Sequence, residues 1–343
     1  MSRSKTRAVA IAAVLACASV VPVEAQHEHG AMTGDSTAGH AMWSAVLGGG
    51  WRVMGMAQAF PVVTFAVPFA DDSPLDGTLV YLTQPVVMAD ISSRGAGFVL
   101  RATLNFEGLT QPDGERTLGG WGEGFIDQRH PHTLLHELVL SLNAWDFLGG
   151  AASISAGRAF APYGTDDPMS RPVLKYPTNH HLSQILERWT LTGAYVRGGW
   201  SVEAGVFGGS EPDGPYDLSN IESFGDSWSA RVARRWGGRG PLAAWEASLS
   251  YGDVVEEHDG GSERTRLWNA AVRHARDGVY ALLEASRGEP TDGDGYFSVL
   301  GEARLVRGAH RPYARLEYAT RPEYERRGAP GTDGFFRYDH DAA

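Results

Sequence analysis

From Trp51 onward the chain repeats one pattern, about ten to fourteen residues in which apolar and polar side chains alternate, followed by a cluster of Gly, Asp, Pro or Ser. A period of two marks a strand with one apolar and one polar face. In "PLAAWEASLSY", Trp245, Ala247, Leu249 and Tyr251 share one face and Ala244, Glu246, Ser248 and Ser250 the other. In "DSWSARVARRW", Trp228, Ala230, Val232 and Trp236 oppose Ser227, Ser229, Arg231 and Arg235, and Arg234 breaks the apolar row. "FSVLGEARLV" sets Phe297, Val299, Ala303 and Leu305 against Ser298, Glu302 and Arg304, and "YARLEYAT" sets Ala314, Leu316 and Tyr318 against Arg315 and Glu317.

Comparable segments fall near residues 49–60, 79–90, 95–107, 132–145, 149–160, 183–198, 199–211, 262–275, 277–287, 294–307 and 310–320, and a last one begins at Phe335. Tight links such as "RGG" at 197–199 and "RDG" at 276–278 read as hairpins. Longer polar loops at 108–131, 161–182 and 212–225 occupy alternate connections.

A soluble sandwich also alternates, so periodicity alone does not choose between sandwich and membrane barrel. Long strands with aromatics near both ends decide for the barrel, because girdles of Trp and Tyr bound the apolar band of such proteins. The expected fold is all-β, an antiparallel transmembrane β-barrel of about fourteen strands, within a range of 12 to 16. Its lumen would carry Arg231, Glu246, Glu302, Arg304, Arg315 and Glu317. A bacterial barrel usually closes on a strand ending in an aromatic residue, whereas "FFRYDHDAA" starts a strand, so the closing strand is expected to be missing from this sequence and residues 49–343 to form a C-terminally incomplete barrel.

Composition narrows the setting. Arg3, Lys5 and Arg7 precede an apolar run from Ala8 to Val23 and a Val-Glu-Ala site, the form of a secretory signal peptide over residues 1–25. A lipid anchor on Cys17 is the competing reading of this segment. No cysteine follows, which excludes a small disulfide scaffold, and no run approaches the roughly 20 apolar residues of a membrane helix. The net charge of -11 argues against a nucleic-acid partner.

The first mature residues, "QHEHGAMTGDSTAGHAMW", place His27, His29, Met32, His40 and Met42 in a tail (26–48) expected to be flexible and periplasmic. Imidazole with thioether suits copper, and a polar linker with chance His and Met is the alternative. In "IDQRHPHTLLHELVLSLNAW", Leu138, Leu140, Leu142 and Ala144 form an apolar face, so Glu137, Ser141 and Asn143 point into the lumen. Glu137 then lies beneath a loop bearing Asp127, Arg129, His130 and His132, stiffened by Pro131, and His180 and His181 of the 161–182 loop could join it. Two readings stay open: a zinc or copper site of His130, His132, Glu137 and His180 or His181, or a structural network at one mouth in which Asp127 pairs with Arg129. Catalysis has little support. Ser141 with His130 can be named as a hydrolytic pair, but no spacing singles them out, and the glycines form no phosphate loop ahead of a helix.

The run "DQRHPHTLLHEL", followed by "NHH" and by "GVFGGSEPD" at 205–213, resembles an uncharacterised family of bacterial outer-membrane β-barrel proteins with an Asp-Arg-Gln-His-Pro-His-Asp type motif. The positions that match are Asp127, Arg129, His130, Pro131, His132, Glu137, His180, His181, Glu211, Pro212 and Asp213. Gln128 and Arg129 stand in swapped order, and Thr133 replaces an acidic residue. The resemblance implies a barrel and brings no established activity. The His/Met tail is similar in style to copper-resistance outer-membrane proteins.

Together these features lead us to expect a porin-like outer-membrane protein for small solutes or ions, not an enzyme, associated with outer-membrane lipid and the barrel-assembly machinery. The alternatives are a non-conducting copper- or zinc-binding resistance protein and a barrel hydrolase.

Overall fold

The computed structural model describes residues 41–66, 77–110, 133–165, 182–212, 214–218, 221–238, 244–258, 261–276, 278–291 and 295–320. Fourteen strands among them form one antiparallel sheet in sequence order. They are β1 (Ala41–Val46), β2 (Arg52–Ala66), β3 (Gly77–Ser92), β4 (Phe98–Asn105), β5 (Leu135–Phe147), β6 (Gly150–Ala159) and β7 (Arg188–Arg197). The second half is β8 (Trp200–Phe207), β9 (Ser227–Trp236), β10 (Trp245–His258), β11 (Gly261–Arg276), β12 (Val279–Pro290), β13 (Tyr296–Leu305) and β14 (Tyr313–Ala319). β1 and β14 are the two edges.

Alternation assigns the two faces as the sequence predicts. Leu138, Leu140 and Leu142 of β5, Ile154 of β6, Leu191 of β7, Val202 of β8, Leu249 of β10 and Leu283 of β12 are exposed on one face. The opposite face carries the buried polar residues Thr103, Ser201, Ser229, Arg231, Glu246, Asn269, Glu284 and Glu302. This inverts the arrangement of a water-soluble protein, and it suits a wall whose outer solvent is hydrocarbon. The polar face is concave, because the chain leaving β6 crosses it to bond with β9, β10 and β12. The fold is therefore a transmembrane β-barrel.

Aromatic residues bound the outer apolar wall. Trp51, Trp145, Trp200, Trp236 and Trp245 lie exposed toward the short turns, with the Trp236 and Trp245 rings stacked at 6.2 Å. Trp228, Trp268, Tyr251 and Phe297 lie toward the long connections. Trp228 and Trp236 on β9 are separated by roughly 26 Å along the strand, or roughly 20 Å along the membrane normal at a tilt of about 40°, so with their rings the two residues bracket an apolar band of about 25 Å. Arg234, the residue that breaks the apolar row, sits in the turn-side girdle. Its guanidinium lies 5.2 Å from the centre of the Trp200 ring and donates to the Gly198 carbonyl, so the charge reaches the interface.

Two boundaries differ from expectation. Residues Ala41–Val46, assigned from sequence to the flexible tail, form β1 on the edge of β2, where the Trp43 ring covers Gly55. The count of fourteen is thus reached with β1, while the segment from Phe335 lies outside the described residues. The second difference is the 161–182 connection. The sequence places it over the mouth, but its beginning and end fold into the lumen.

Candidate functional site

The inner wall is built from polar residues that meet their cross-strand opposites, the pairing that stabilises neighbouring strands. Asp90 faces Arg101 in register and accepts from its Nε at 2.8 Å and Nη2 at 3.0 Å. Glu137 points inward as predicted and accepts from Thr103 Oγ1 at 2.6 Å. Ser141, the candidate hydrolytic hydroxyl, shares a 2.8 Å hydrogen bond with Ser155. Asn269 donates to Ser286 at 2.8 Å, and Arg315 donates to Glu302 at 2.6 Å. Arg304 and Glu317 share the inward face with this last pair.

The densest charge cluster lies on β8 to β11. Arg231 donates to Glu246 at 2.9 Å and to Glu203 at 3.2 Å. Glu246 also receives Arg235 at 2.5 Å and Arg273 at 3.5 Å. Three guanidiniums around one buried carboxylate fix the wall, since an ion pair out of water holds only when its remaining hydrogen bonds are satisfied. Sequence alternation placed Arg231, Arg235 and Glu246 on the polar face; that they meet, and that Glu203 and Arg273 join them, follows only from register.

Residues 160–165 dock on this cluster. The Gly164 N–H donates to Ser250 Oγ at 2.8 Å, its carbonyl accepts from Arg231 Nε at 2.8 Å, and Thr165 Oγ1 donates to Glu284 at 2.5 Å. Residue 164 has φ +70, and a Cβ there would strike the Ser183 carbonyl, so glycine is required. Ala161, Tyr163, Leu182 and Ile185 pack with Phe207, Val254 and Leu267 of the wall, and Gly252 leaves room for Ile185 and Tyr163. The Tyr163 hydroxyl donates to the Leu182 carbonyl at 3.1 Å. Burial pushes its pKa well above the ordinary 10.0, and Glu284 and Tyr296 push the same way.

One side of the lumen is therefore filled. Ser229 is 0% exposed and Asn269 and Glu284 are 3% exposed, whereas Ser141, Asn143, Ser153, Ser155 and Thr192 of β5 to β7 keep partial exposure. The inner face of β5 to β7 is thus left partly exposed beside the segment.

A second cluster lies on the outer surface near the long connections. β5 bulges against β4, with Thr103 opposite Glu137 and Leu104 opposite Leu135, so His136 is the extra residue. His136 Nδ1 and Glu187 Oε1 lie 2.5 Å apart, both buried, and the Thr133 N–H donates to the same carboxylate at 3.1 Å. Arg158, fully buried, donates to Thr133 Oγ1 at 3.2 Å and to the Asp217 carbonyl at 3.2 Å. Register puts Arg158 opposite Leu138 on the outward row, beneath residues 214–218. A charge ending the apolar row after Ile154 and Ala156 is the sequence signal by which Arg158 could have been found. His136 had no such signal, because its position depends on the bulge.

Of the other sequence candidates, Glu211 accepts from Arg188 at 3.0 Å, and Arg188 also donates to the Gly209 and Leu186 carbonyls. Met42 contributes backbone to β1. His27, His29, Met32, His40, Asp127, Arg129, His130, His132, His180, His181 and Asp213 lie outside the described residues. Among the described residues no three His, Cys, Asp or Glu side chains gather as metal ligands.

No family model matches the chain, and no curated relative does either. Several solved structures are similar to the chain at low identity. The anion-selective porin from Comamonas acidovorans is 11% identical, with 82% of this chain and 77% of that one covered and a TM-score of 0.41. The outer membrane protein OmpT of Vibrio cholerae is 13% identical over 82% and 85% of the chains, with a TM-score of 0.34. Salmonella typhi OmpF, solved with daunomycin, is 11% identical over 82% and 87%, with a TM-score of 0.33. At such similarity the assignment of the fold rests on this chain's own register and faces.

Proposed function

We propose that the protein resides in the outer membrane of a diderm bacterium and acts as a porin-like channel for small solutes or ions. The supporting observation is the pairing of an apolar outer wall with a polar lumen of which one side, β5 to β7, stays partly exposed beside the docked 160–165 segment. At about fourteen strands a barrel encloses enough space for a path next to such a segment. Arg and Glu on the lumen wall would set ion preference by their fields. Nothing in this reading assigns a catalytic group, since Ser141 is engaged by Ser155.

The test is swelling of liposomes that contain the folded full chain, using neutral sugars of increasing mass. Swelling with the smallest sugars and a cut-off at larger ones is expected. Correctly folded protein that admits none of them contradicts the reading.

A further inference from the structure

The outer wall carries a depression that no other described residue fills. It measures about 610 Å³ and spans β8 to β13. Its shape follows from register. One outward row runs Val232, Leu249, Ala270, Ala285, Val299 across β9 to β13. The next row toward the long connections runs Ala230, Tyr251, Trp268, Arg287, Phe297. Ala270 and Ala285 form a low floor, and Leu249, Trp268 and Phe297 stand around it as walls.

Cations stand above this floor. The third row is Trp228, Asp253, Arg266, Glu289, and Arg264 lies beyond it. Arg264 pairs with Asp253 at 2.9 Å, and Arg287 pairs with Glu289 at 2.8 Å. Both carboxylates that flank Arg266 in register are thus engaged elsewhere. Arg266 is exposed, and among the described residues no carboxylate pairs with it. Three guanidiniums against two carboxylates, set at the aromatic girdle, leave a positive charge directly over an apolar groove.

We infer that this groove and its cationic rim form a binding site for one phosphorylated, multiply acylated lipid of the outer leaflet. An acyl chain lies over Ala270 and Ala285, and the phosphate engages Arg266 and the exposed head of Arg287. Charge complementarity selects this occupant: an uncharged lipid would leave Arg266 unanswered, and a second copy of the chain would bring another Arg266 to the same rim. The inference rests on the membrane reading above, with the long connections facing the cell exterior as is usual in such barrels.

The test uses the full chain folded in detergent micelles and titrated with lipid A, with bound lipid counted by native mass spectrometry. Retention of one lipid A is expected. Arg266→Gln/Arg287→Gln should weaken it about thirtyfold, as for two basic residues at an anionic surface. Ala270→Phe, which fills the floor and keeps both arginines, should weaken it as well, and dephosphorylated lipid A should bind like the double variant. Equal binding by the arginine variant overturns the site. So does equal affinity for phosphatidylglycerol, or a dimer mass that disappears in Ala270→Phe. Sugar-driven swelling is expected to be unchanged in these variants, which keeps failure of the lipid site distinct from failure of the channel reading.

Discussion

Arg231 on β9 holds Gly164 inside the lumen, its Nε donating to the Gly164 carbonyl at 2.8 Å while its two Nη atoms reach Glu203 and Glu246. One side chain thus joins the wall to the segment that fills this side of the lumen. Arg231→Gln should cost on the order of 3 kcal/mol, the usual loss when one partner leaves a buried ion pair. Gly164→Ala should free the same segment by another route, because φ +70 and the Ser183 carbonyl both oppose a Cβ. In both variants limited proteolysis should cut near residues 160–165 sooner than in wild type, with the barrel itself intact. Unchanged cleavage would mean that the segment is held by something other than these contacts.

The outward face can be tested by placing charge on it. Leu249, 61% exposed at mid-strand, faces hydrocarbon, so Leu249→Arg should destabilise the folded barrel by about 2–4 kcal/mol in lipid. Arg234→Leu at the turn-side girdle should change stability by no more than about 1 kcal/mol. Reversible urea unfolding from liposomes reads both. Equal effects of the two substitutions would contradict the assigned band.

The Glu187 carboxylate ties Thr133 to His136 from a residue with φ 55, a conformation that costs a non-glycine residue about 1–3 kcal/mol. Arg158→Leu removes the donor to Thr133 and to the Asp217 carbonyl. Residues 214–218 should then become accessible to protease while heat-modifiable migration of the barrel persists. Loss of the folded band on gels would show that this cluster supports the barrel and not only its loops.

Tyr163 gives a pH dependence. Its folded pKa is raised above the unfolded value of about 10, so its contribution is complete below that pH and declines as pH rises through and above it. Docking of the 160–165 segment should be flat from about pH 6 to 9 and weaken in stronger alkali. Tyr163→Phe should lower stability by about 1 kcal/mol in the flat region, from the hydrogen bond lost at Leu182, and should show a smaller alkaline decline. Proteolysis rates measured against pH decide it.

Much of the wall was legible because strand alternation is a local property. Trp245, Ala247, Leu249 and Tyr251 lie outward and Glu246, Ser248 and Ser250 inward as read, and Glu137 falls on the lumen side. Two things were not legible. Glu203, Arg235 and Arg273 gather on Glu246 and Arg231 through register between strands, which no single segment encodes. The inward fold of residues 160–165 depends on Ser250 and Glu284, more than eighty positions away. His136 belongs to the same class, since a bulge against β4 shifts it out of the alternation that placed Glu137 correctly.

Single-channel recording in planar bilayers, with wild type beside Arg231→Gln, tests most directly whether the lumen conducts past the docked segment. Discrete ohmic steps for wild type, and larger or noisier steps for Arg231→Gln, are the expected result. Silent bilayers containing correctly folded protein, or identical steps from both proteins, would contradict a channel narrowed by residues 160–165.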